Sequence, residues 1–409
     1  MKRICLLGLI PALAVYSCGQ NASKQQAAAT DTANFAKGTF GYDSVFLSSR
    51  DSLVILSAGN SRVIVSPKYQ GKVFTSTADG DTGKSFGWIN YKAFDGKPDE
   101  HMNAYGGEDR LWLGPEGGPF SLYFKPGTKM EFDNWHTPPA IDNQAWKLVS
   151  ANGGEATLEK TTEMLNYANT PLKIKLARRI KILNSEDAQK ELAITLGSDV
   201  KTVAFTTQNA ITNTGDKAWD KTTGAPCLWN LDMLTPSDKT VIVIPYNEKA
   251  AGNVATTNYF GQIPPDRVKF DKGILLFKAD GKSRGKLGMP PVRTKGVAGS
   301  YDAQNNVLTI TTFDVHPNET YLNQEWRTDK PPFVGDAVNA YNDGPLANGT
   351  QMGPFYELES VSPAAFLKPG EKLVHNHTVY HFTGSRSALN AISFKILAIS
   401  LDDIQAAFK

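Results

Sequence analysis

Residues 172–183 show the clearest alternation of apolar and polar positions in the chain. Four apolar residues share one side of an extended strand there, namely Ile174, Leu176, Ile180 and Ile182, and lysine and arginine residues take the other side. A period of two is typical of a β-strand with one face in the core and one in solvent. Similar short segments between turn residues predict further strands at residues 53–57, 62–66, 72–76, 120–124, 146–150, 156–164, 190–196, 240–245, 273–277, 306–313, 355–360 and 372–382.

Helical periodicity is confined to the end of the chain. Apolar residues fall at helical spacing over residues 389–397, and Ser400 is placed to cap a last helix over residues 401–408. Many strands and little helix predict an all-β protein, a large antiparallel β-sandwich with a short C-terminal helical tail. We see no repeat or linker after the N-terminal segment, so we expect residues 35–409 to form one domain.

The first residues have the order of a secretory signal. Lys2 and Arg3 precede an apolar stretch over residues 4–15, which is too short to span a bilayer as a helix, and Cys18 follows the small Ser17. This arrangement resembles the lipobox of bacterial lipoproteins, in which cleavage leaves the cysteine as a diacylated N-terminus. We therefore expect a signal peptide over residues 1–17, a lipid on Cys18 and a disordered tether over residues 18–34.

This interpretation predicts a location in the periplasm or at the cell surface, with the lipid as the membrane anchor. The alternative is an ordinary signal peptide with a chance cysteine. Cys227 is then the lone cysteine of the mature part, which excludes an intrachain disulfide, and its apolar neighbours indicate a buried thiol rather than a nucleophile.

Composition excludes several classes of function. The formal net charge is +2, with no basic run that would favour nucleic acid. Phosphate-binding loops, zinc cysteine pairs and the Gly-x-Ser-x-Gly elbow are absent from the sequence. We expect a monomer that needs no cofactor.

Three stretches are dense in the aromatic, amide and carboxylate side chains that hold sugars. The first, residues 88–116, contains Trp88, Asn103, Glu108, Arg110 and Trp112 among several glycines. The second, residues 209–232, contains Trp219 and Trp229. Each stretch also has an interpretation without a ligand. The first would be a surface turn whose charged residues pair with one another, and the tryptophans of the second would belong to the core or its rim.

The third stretch carries two carboxylates on one strand. Alternation puts Glu357 and Glu359 on the same face, where their repulsion favours a raised pKa or a cation partner. The alternative is a solvated strand face.

Three histidines further on, His375, His377 and His381, share a strand face and invite a metal interpretation. At about 3.3 Å per residue, His381 would lie about 13 Å from His377, so hydrogen-bonded strand histidines are the competing interpretation.

The C-terminal motifs resemble the signature of aldose 1-epimerases. They are Tyr-Glu-Leu-Glu-Ser at residues 356–360, Pro-Gly-Glu at 369–371 and Tyr-His-Phe at 380–382. Residues 103–110 are similar to the family's Asn-x-x-Gly-Gly loop, with the arginine one residue early, and residues 211–216 look like its Thr-Asn turn. The resemblance implies a galactose-mutarotase-like supersandwich with a sugar-binding cleft, and the whole pattern also looks like bacterial lipoproteins of unknown function in that superfamily.

Carried over by the resemblance, Glu359 takes the position of the epimerase general base, and Arg110 and Asn103 those of sugar ligands. The general acid of the family, a histidine before an Asn-Leu pair, is not matched, since residues 227–231 contain no histidine. Ring opening needs an acid as well as a base. His101, His136 and His316 are the candidates to reach the site from another loop.

We therefore expect a carbohydrate-binding exported lipoprotein in which Glu359 acts on the sugar. The alternatives are an active epimerase or lyase-like enzyme, or a noncatalytic structural lipoprotein with a degenerate cleft. We also expect Arg110 and Glu359 to approach one pocket on the concave face of the large sheet, with Trp88, Trp112 or Trp229 at its wall.

Overall fold

The computed structural model describes residues 34–409, which form three antiparallel sheets and five short α-helices. The strands are β1 (Val54–Ala58), β2 (Ser61–Ser66), β3 (Lys72–Thr77), β4 (Arg110–Gly114), β5 (Lys147–Ala151), β6 (Glu155–Leu165), β7 (Pro171–Leu183), β8 (Lys201–Asn213), β9 (Cys227–Leu234), β10 (Thr240–Pro245), β11 (Val268–Asp271), β12 (Ile274–Lys278), β13 (Gly285–Met289), β14 (Val297–Asp302), β15 (Val307–Phe313), β16 (Val338–Asn342), β17 (Tyr356–Val361) and β18 (Lys372–Thr383). The helices are α1 (Phe40–Ser48), α2 (Pro139–Asp142), α3 (Ser185–Leu192), α4 (Arg386–Leu397) and α5 (Leu401–Ala406). The signal, lipidation site and nearly all of the tether predicted from the sequence lie outside the described residues.

A ten-stranded sheet and a five-stranded sheet form the two main layers. The large sheet has the order β11-β12-β10-β14-β15-β18-β8-β7-β6-β5, the smaller one β13-β16-β17-β9-β4, and β1 to β3 form a separate sheet. Apolar side chains of the two layers share one core, in which Leu228 of β9 joins Ile174 of β7 and Phe205 of β8. The predicted antiparallel β-sandwich with a helical C-terminus is confirmed.

Strand β7 has the predicted alternation. Ile174, Leu176 and Ile180 are fully buried and Ile182 is 5% exposed, whereas Arg179 lies on the solvent side. The C-terminal helices are also confirmed, and the Ser400 hydroxyl accepts the Asp403 backbone N–H at 3.1 Å as the cap of α5.

Two predicted strands are wrong. Residues 190–196 overlap α3, because the Asn184 side chain caps a helix there by accepting the Asp187 N–H at 2.8 Å. Residues 120–124 are irregular, and only Phe124 forms an isolated bridge, with Trp135. The strands that the sequence did not predict are β4, β8, β9, β11, β13, β14 and β16. Several of these are buried on both faces and therefore show no alternation.

The five-stranded sheet has one inner and one outer face. Leu358 of β17 and Leu287 of β13 point inward, toward apolar residues of β10 and β12. Arg110, Leu231 and Glu359 form a cross-strand row on the opposite, outer face. The expected place of the site, on the concave face of the large sheet, is therefore wrong, because β4, β9 and β17 belong to the smaller sheet. No helix of residues 34–409 is long and apolar enough to cross a membrane.

Candidate functional site

The outer face of the five-stranded sheet forms the floor of a cleft with a volume of about 120 Å³. Aromatic rings make most of its wall, namely Trp112, Phe132, Trp135, Trp229, Phe260, Trp326, Tyr341 and Phe355. Charged and apolar side chains line the remainder; the charged ones are Arg110, Glu116, Arg284, Lys286 and Glu357, and the apolar ones Met102, Leu231, Met233 and Met352. An engineered protein cavity of about 150 Å³ holds benzene, so the enclosed part of this cleft suits one small ring.

Arg110 and Glu357 form a buried ion pair on the floor. Arg110 Nη2 lies 2.5 Å from Glu357 Oε1, and both side chains are less than a tenth exposed. The guanidinium carbon is 4.9 Å from the ring centre of Trp112. Burial raises the pKa of Glu357, the Arg110 charge acts in the opposite direction, and the nearby Glu359 adds to the rise.

Glu359 lies beside the cleft, under two of its lining residues. Its Oε2 accepts a hydrogen bond from Trp229 Nε1 at 2.9 Å and faces Lys286 Nζ at 3.2 Å. Its Oε1 is buried and has no hydrogen-bond partner among the described residues. Glu359 is therefore held rigidly, with one carboxylate oxygen unused.

Lys286 connects the charged and aromatic parts of the cleft. Its ammonium lies 4.5 Å from the ring centre of Trp229. Burial lowers its pKa, but the carboxylates of Glu359, Glu116 and Glu357 outweigh that effect, and the pKa is raised. Lys286 therefore carries a proton at neutral pH. Burial also raises the pKa of Glu116, against the Lys286 charge.

The structure brings together part of the site that the sequence predicts. Arg110, Trp112, Trp229 and Glu357 line the cleft, and Glu359 adjoins it. The prediction that Glu357 and Glu359 share a strand face and take cation partners agrees with their positions, since Arg110 and Lys286 pair with them.

Three residues predicted to bind substrate do not line the cleft. Asn103 donates from its side chain to Asp142 at 2.7 Å and so fixes its own loop. Glu108 accepts a hydrogen bond from Ser76 Oγ at 2.6 Å and lies 3.0 Å from His381, between the sheets. Trp88 packs on Phe355 and lines a neighbouring cavity. Their predicted contact with a ligand in this cleft does not follow from these positions.

Other cleft residues were not predicted, notably Glu116, Arg284, Lys286, Trp135 and Trp326. Lys286 had a weak signal, because it is a lone charge in the short segment Gly-Lys-Leu-Gly-Met. None of His101, His136 and His316, the histidines considered as a general acid, lines the cleft. His101 instead stacks on His136, with ring centres 4.8 Å apart.

The strand histidines lie behind the floor and are hydrogen bonded. Ser360 Oγ is 2.8 Å from His375 Nε2 and 2.9 Å from His377 Nδ1, and His377 Nε2 is 2.8 Å from Asp232. Within residues 34–409, no group of three or more His, Cys, Asp or Glu side chains could hold a metal ion. Hydrogen-bonded strand histidines are the interpretation that fits.

Comparison with known proteins gives a family and several similar structures. A family described as "Family of unknown function (DUF6786)" matches residues 38–408. Among solved structures, a putative aldose 1-epimerase of Escherichia coli K12 is 13% identical, covers 81% of this chain and 98% of its own, and has a TM-score of 0.48. The Slr1438 protein of Synechocystis sp. PCC 6803 is 13% identical, with coverages of 82% and 97% and a TM-score of 0.49.

A galactose mutarotase-like protein of Lactobacillus casei is 10% identical, with coverages of 81% and 100% and a TM-score of 0.47. A curated protein, 7-cyano-7-deazaguanine synthase of Saccharolobus solfataricus, is 29% identical over 96 residues, 23% of this chain. The matched region spans about a fifth (20%) of that relative's length.

Proposed function

This chain belongs to the DUF6786 family, whose function is unknown, and we propose that its cleft binds carbohydrate. The observation that carries the proposal is the buried Arg110–Glu357 pair on a floor surrounded by tryptophan rings. A sugar has hydroxyls at its edge and apolar C–H groups on its faces. Guanidinium and carboxylate groups bind the hydroxyls, and an aromatic ring covers a C–H face.

The size of the cleft favours one sugar ring, either a monosaccharide or one unit of a longer glycan. Arg110 and Glu357 are oriented by each other before a ligand arrives, which reduces the entropy lost on binding. Trp112 and Trp229 contact edge to face, with ring centres 5.5 Å apart, so the aromatic surface is also held in place.

The test is a glycan array followed by calorimetric titration of the best ligand. Arg110→Ala alone would leave Glu357 buried without its cation, and breaking a buried pair in this way commonly costs about 3 to 5 kcal/mol of stability. The double variant Arg110→Met with Glu357→Gln removes both charges together. We expect it to keep the fold and to bind the glycan more than tenfold more weakly, since losing a buried charged contact commonly costs about 2 to 5 kcal/mol.

The matched control is Arg179→Met, which removes an exposed arginine that pairs with Glu155 on the solvent side of the large sheet. It should leave binding unchanged. Unaltered affinity in the double variant, or equal loss in both, would contradict the cleft as the binding site. Absence of any glycan ligand would favour the structural lipoprotein with a degenerate cleft.

A second candidate function is proton exchange at the anomeric centre, the aldose 1-epimerase reaction. It is favoured by the 3.2 Å contact of Glu359 with Lys286, which supplies a cationic acid where the family's histidine is missing. Glu359 Oε1 would accept the anomeric hydroxyl proton, and the Lys286 ammonium would donate to the ring oxygen. Binding remains the first proposal because Glu359 is itself buried under Trp229 and Lys286.

The same titrations separate the two functions when the anomers are followed by NMR. If the protein is an epimerase, it accelerates their interconversion, and Glu359→Gln and Lys286→Met each abolish the acceleration. A ligand that binds without faster interconversion contradicts the epimerase and leaves a binding protein.

The proposed location is the periplasm or cell surface, with Cys18 carrying the lipid. The support is the basic, apolar and small-residue order of residues 1–18. Membrane partition of a Cys18→Ser variant tests it.

A further inference from the structure

A second cavity, larger than the cleft, lies beside it. Its volume is about 680 Å³, and Trp88 forms part of its lining. Three lysines, Lys37, Lys84 and Lys92, surround it. Trp88 was predicted to stack on a sugar, and it lines this cavity instead of the cleft.

The cavity has an excess of positive charge that its own residues do not neutralise. Asp43 is the one carboxylate in its lining, against three ammonium groups. The Asp43 oxygens are already occupied, since Oδ1 accepts the Tyr91 hydroxyl at 2.5 Å and Oδ2 accepts the Ser85 hydroxyl. None of the salt bridges among the described residues involves these lysines, and all three are exposed.

The second cavity and the cleft adjoin each other. Met352 lines both of them. Trp88 of the cavity packs on Phe355 of the cleft wall, with ring centres 4.8 Å apart. The cleft and the cavity therefore have Met352 in common and adjoin at the packed, buried rings of Trp88 and Phe355.

We propose that the protein binds an acidic oligosaccharide, with one sugar ring in the cleft and an anionic substituent of the next unit among Lys37, Lys84 and Lys92. This inference rests on the proposed carbohydrate function and specifies its ligand class. Three exposed ammonium groups that form no salt bridge among the described residues attract a carboxylate or sulfate, with Asp43 and Asp302 as the nearby opposing charges. The attraction is between largely exposed charges, so it weakens as salt is added.

The experiment compares an oligogalacturonide of three units with its methyl ester, which has the same chain without the charge. The full-length protein in detergent is titrated with each at about 20 mM and at about 200 mM salt, two conditions that differ in charge screening. We expect the acid to bind about tenfold more tightly than the ester at low salt, and the difference to shrink at high salt. A sulfated galactan oligomer of equal length serves as a further arm and decides whether carboxylate or sulfate is preferred.

Two triple variants test the assignment to these lysines. Lys37→Gln, Lys84→Gln and Lys92→Gln together should remove the preference for the acid and leave the affinity for the ester unchanged. The control replaces Lys125, Lys190 and Lys395, which are also exposed but line neither cavity, and should keep the preference. All six positions are exposed, so both variants should fold, which circular dichroism checks.

The outcomes separate this proposal from the one on which it rests. Equal affinity for acid and ester, or equal effects of the two triple variants, overturns the acidic ligand. If the acid and ester bind equally but the Arg110→Met, Glu357→Gln variant binds the ester more weakly than the wild type, the cleft still binds carbohydrate, and only the acidic ligand is wrong. If neither glycan series binds, both proposals fail. If the Arg110→Met, Glu357→Gln variant binds the acid as tightly as the wild type does, the assignment of the sugar ring to the cleft is wrong.

Discussion

At the scale of single residues, the space between the sheets contains paired polar groups. Arg178 Nη2 lies 2.9 Å from Asp109 and His377 lies 2.8 Å from Asp232, with all four side chains buried. Burying a charge is costly unless a partner of opposite charge accompanies it. These pairs hold the back of the strands whose outer face carries the cleft, so they position the floor without touching a ligand there.

His375 makes the stability of the protein dependent on pH. Burial lowers its pKa to about 3, helped by the charges of His377 and His316. Below pH 6.5, His375 is therefore protonated in the unfolded chain, whereas in the folded chain it stays neutral until the pH falls to about 3. The stabilisation is complete above pH 6.5 and is lost as the pH falls, by about 2 kcal/mol at pH 5.

His375→Gln cannot titrate but retains an amide that can bond Ser360. We expect its free energy of unfolding in urea to fall less steeply than that of the wild type between pH 6.5 and pH 4. His136→Gln, at a partly exposed loop position, is the control and should follow the wild type. Parallel curves for His375→Gln and the wild type would show that His375 is not the titrating group.

The residue-level predictions from sequence succeeded where a side chain acts through its own strand. Alternation alone placed Ile174 and Ile180 in the core. The structure adds that Arg178, which has the same parity and was not predicted to be buried, also points inward. Its partner Asp109 is 69 positions away, and nothing local to either residue indicates the pair. Glu108 was assigned to a ligand for the same reason, since its partner His381 lies on the distant β18.

At the scale of elements, alternation identifies a strand with one wet face such as β7, but it gives no signal for a buried strand of mixed composition. Strand β9 is the example, because every residue of Cys227–Leu234 is buried and its sequence mixes apolar and polar types. Its polar residues face other polar residues, such as Asn230, whose Oδ1 accepts from Asn209 at 3.1 Å. The sequence of β9 therefore shows no alternation of apolar and polar residues that would predict a strand. Helix α3 was missed because local capping by Asn184 decides it rather than periodicity.

The end of α3 provides a test of local backbone strain. Ala193 follows the helix with φ of +50°, in the left-handed region that costs a non-glycine residue about 1 to 2 kcal/mol. Ala193→Gly should therefore stabilise the protein by up to about 1 kcal/mol, after the greater freedom of glycine in the unfolded chain is subtracted. Urea unfolding measures the change.

The control is Ala188→Gly, at a buried position within the same helix. It should destabilise the protein by about 1 kcal/mol, because glycine is unfavourable in a helix interior. A loss of stability in both variants would mean that the strain at Ala193 is not relieved.

At the scale of the whole molecule, the cleft is assembled from segments far apart in the chain. Arg110 lies on β4 and Glu357 on β17. They meet because the small sheet places these two strands on either side of β9, so that both side chains lie on one face. Family motifs anticipated both of these segments, and local density of aromatic and charged residues anticipated Trp112 and Trp229. Lys286 on β13 and Trp326 on the loop between β15 and β16 stand outside such stretches, and only the folded arrangement of the chain brings them to the site.

Anchoring is also a property of the whole molecule. If Cys18 carries the lipid, Cys18→Ser should move the protein from the membrane fraction to the soluble fraction after cell lysis. Its melting temperature should equal that of the wild type in detergent, because the three sheets are formed entirely by residues after Cys18. Ser17→Ala keeps a small residue before Cys18 and should leave the protein in the membrane fraction. Unchanged partition of Cys18→Ser would contradict the lipoprotein.

The aromatic wall of the cleft has a spectroscopic consequence. The chain has seven tryptophans, and four of them, Trp112, Trp135, Trp229 and Trp326, line the cleft. Most of the indole groups that emit in the near ultraviolet therefore lie where a ligand would displace water. A sugar entering the cleft should shift or quench the native fluorescence without any dye. Candidate glycans can thus be screened with the unlabelled protein.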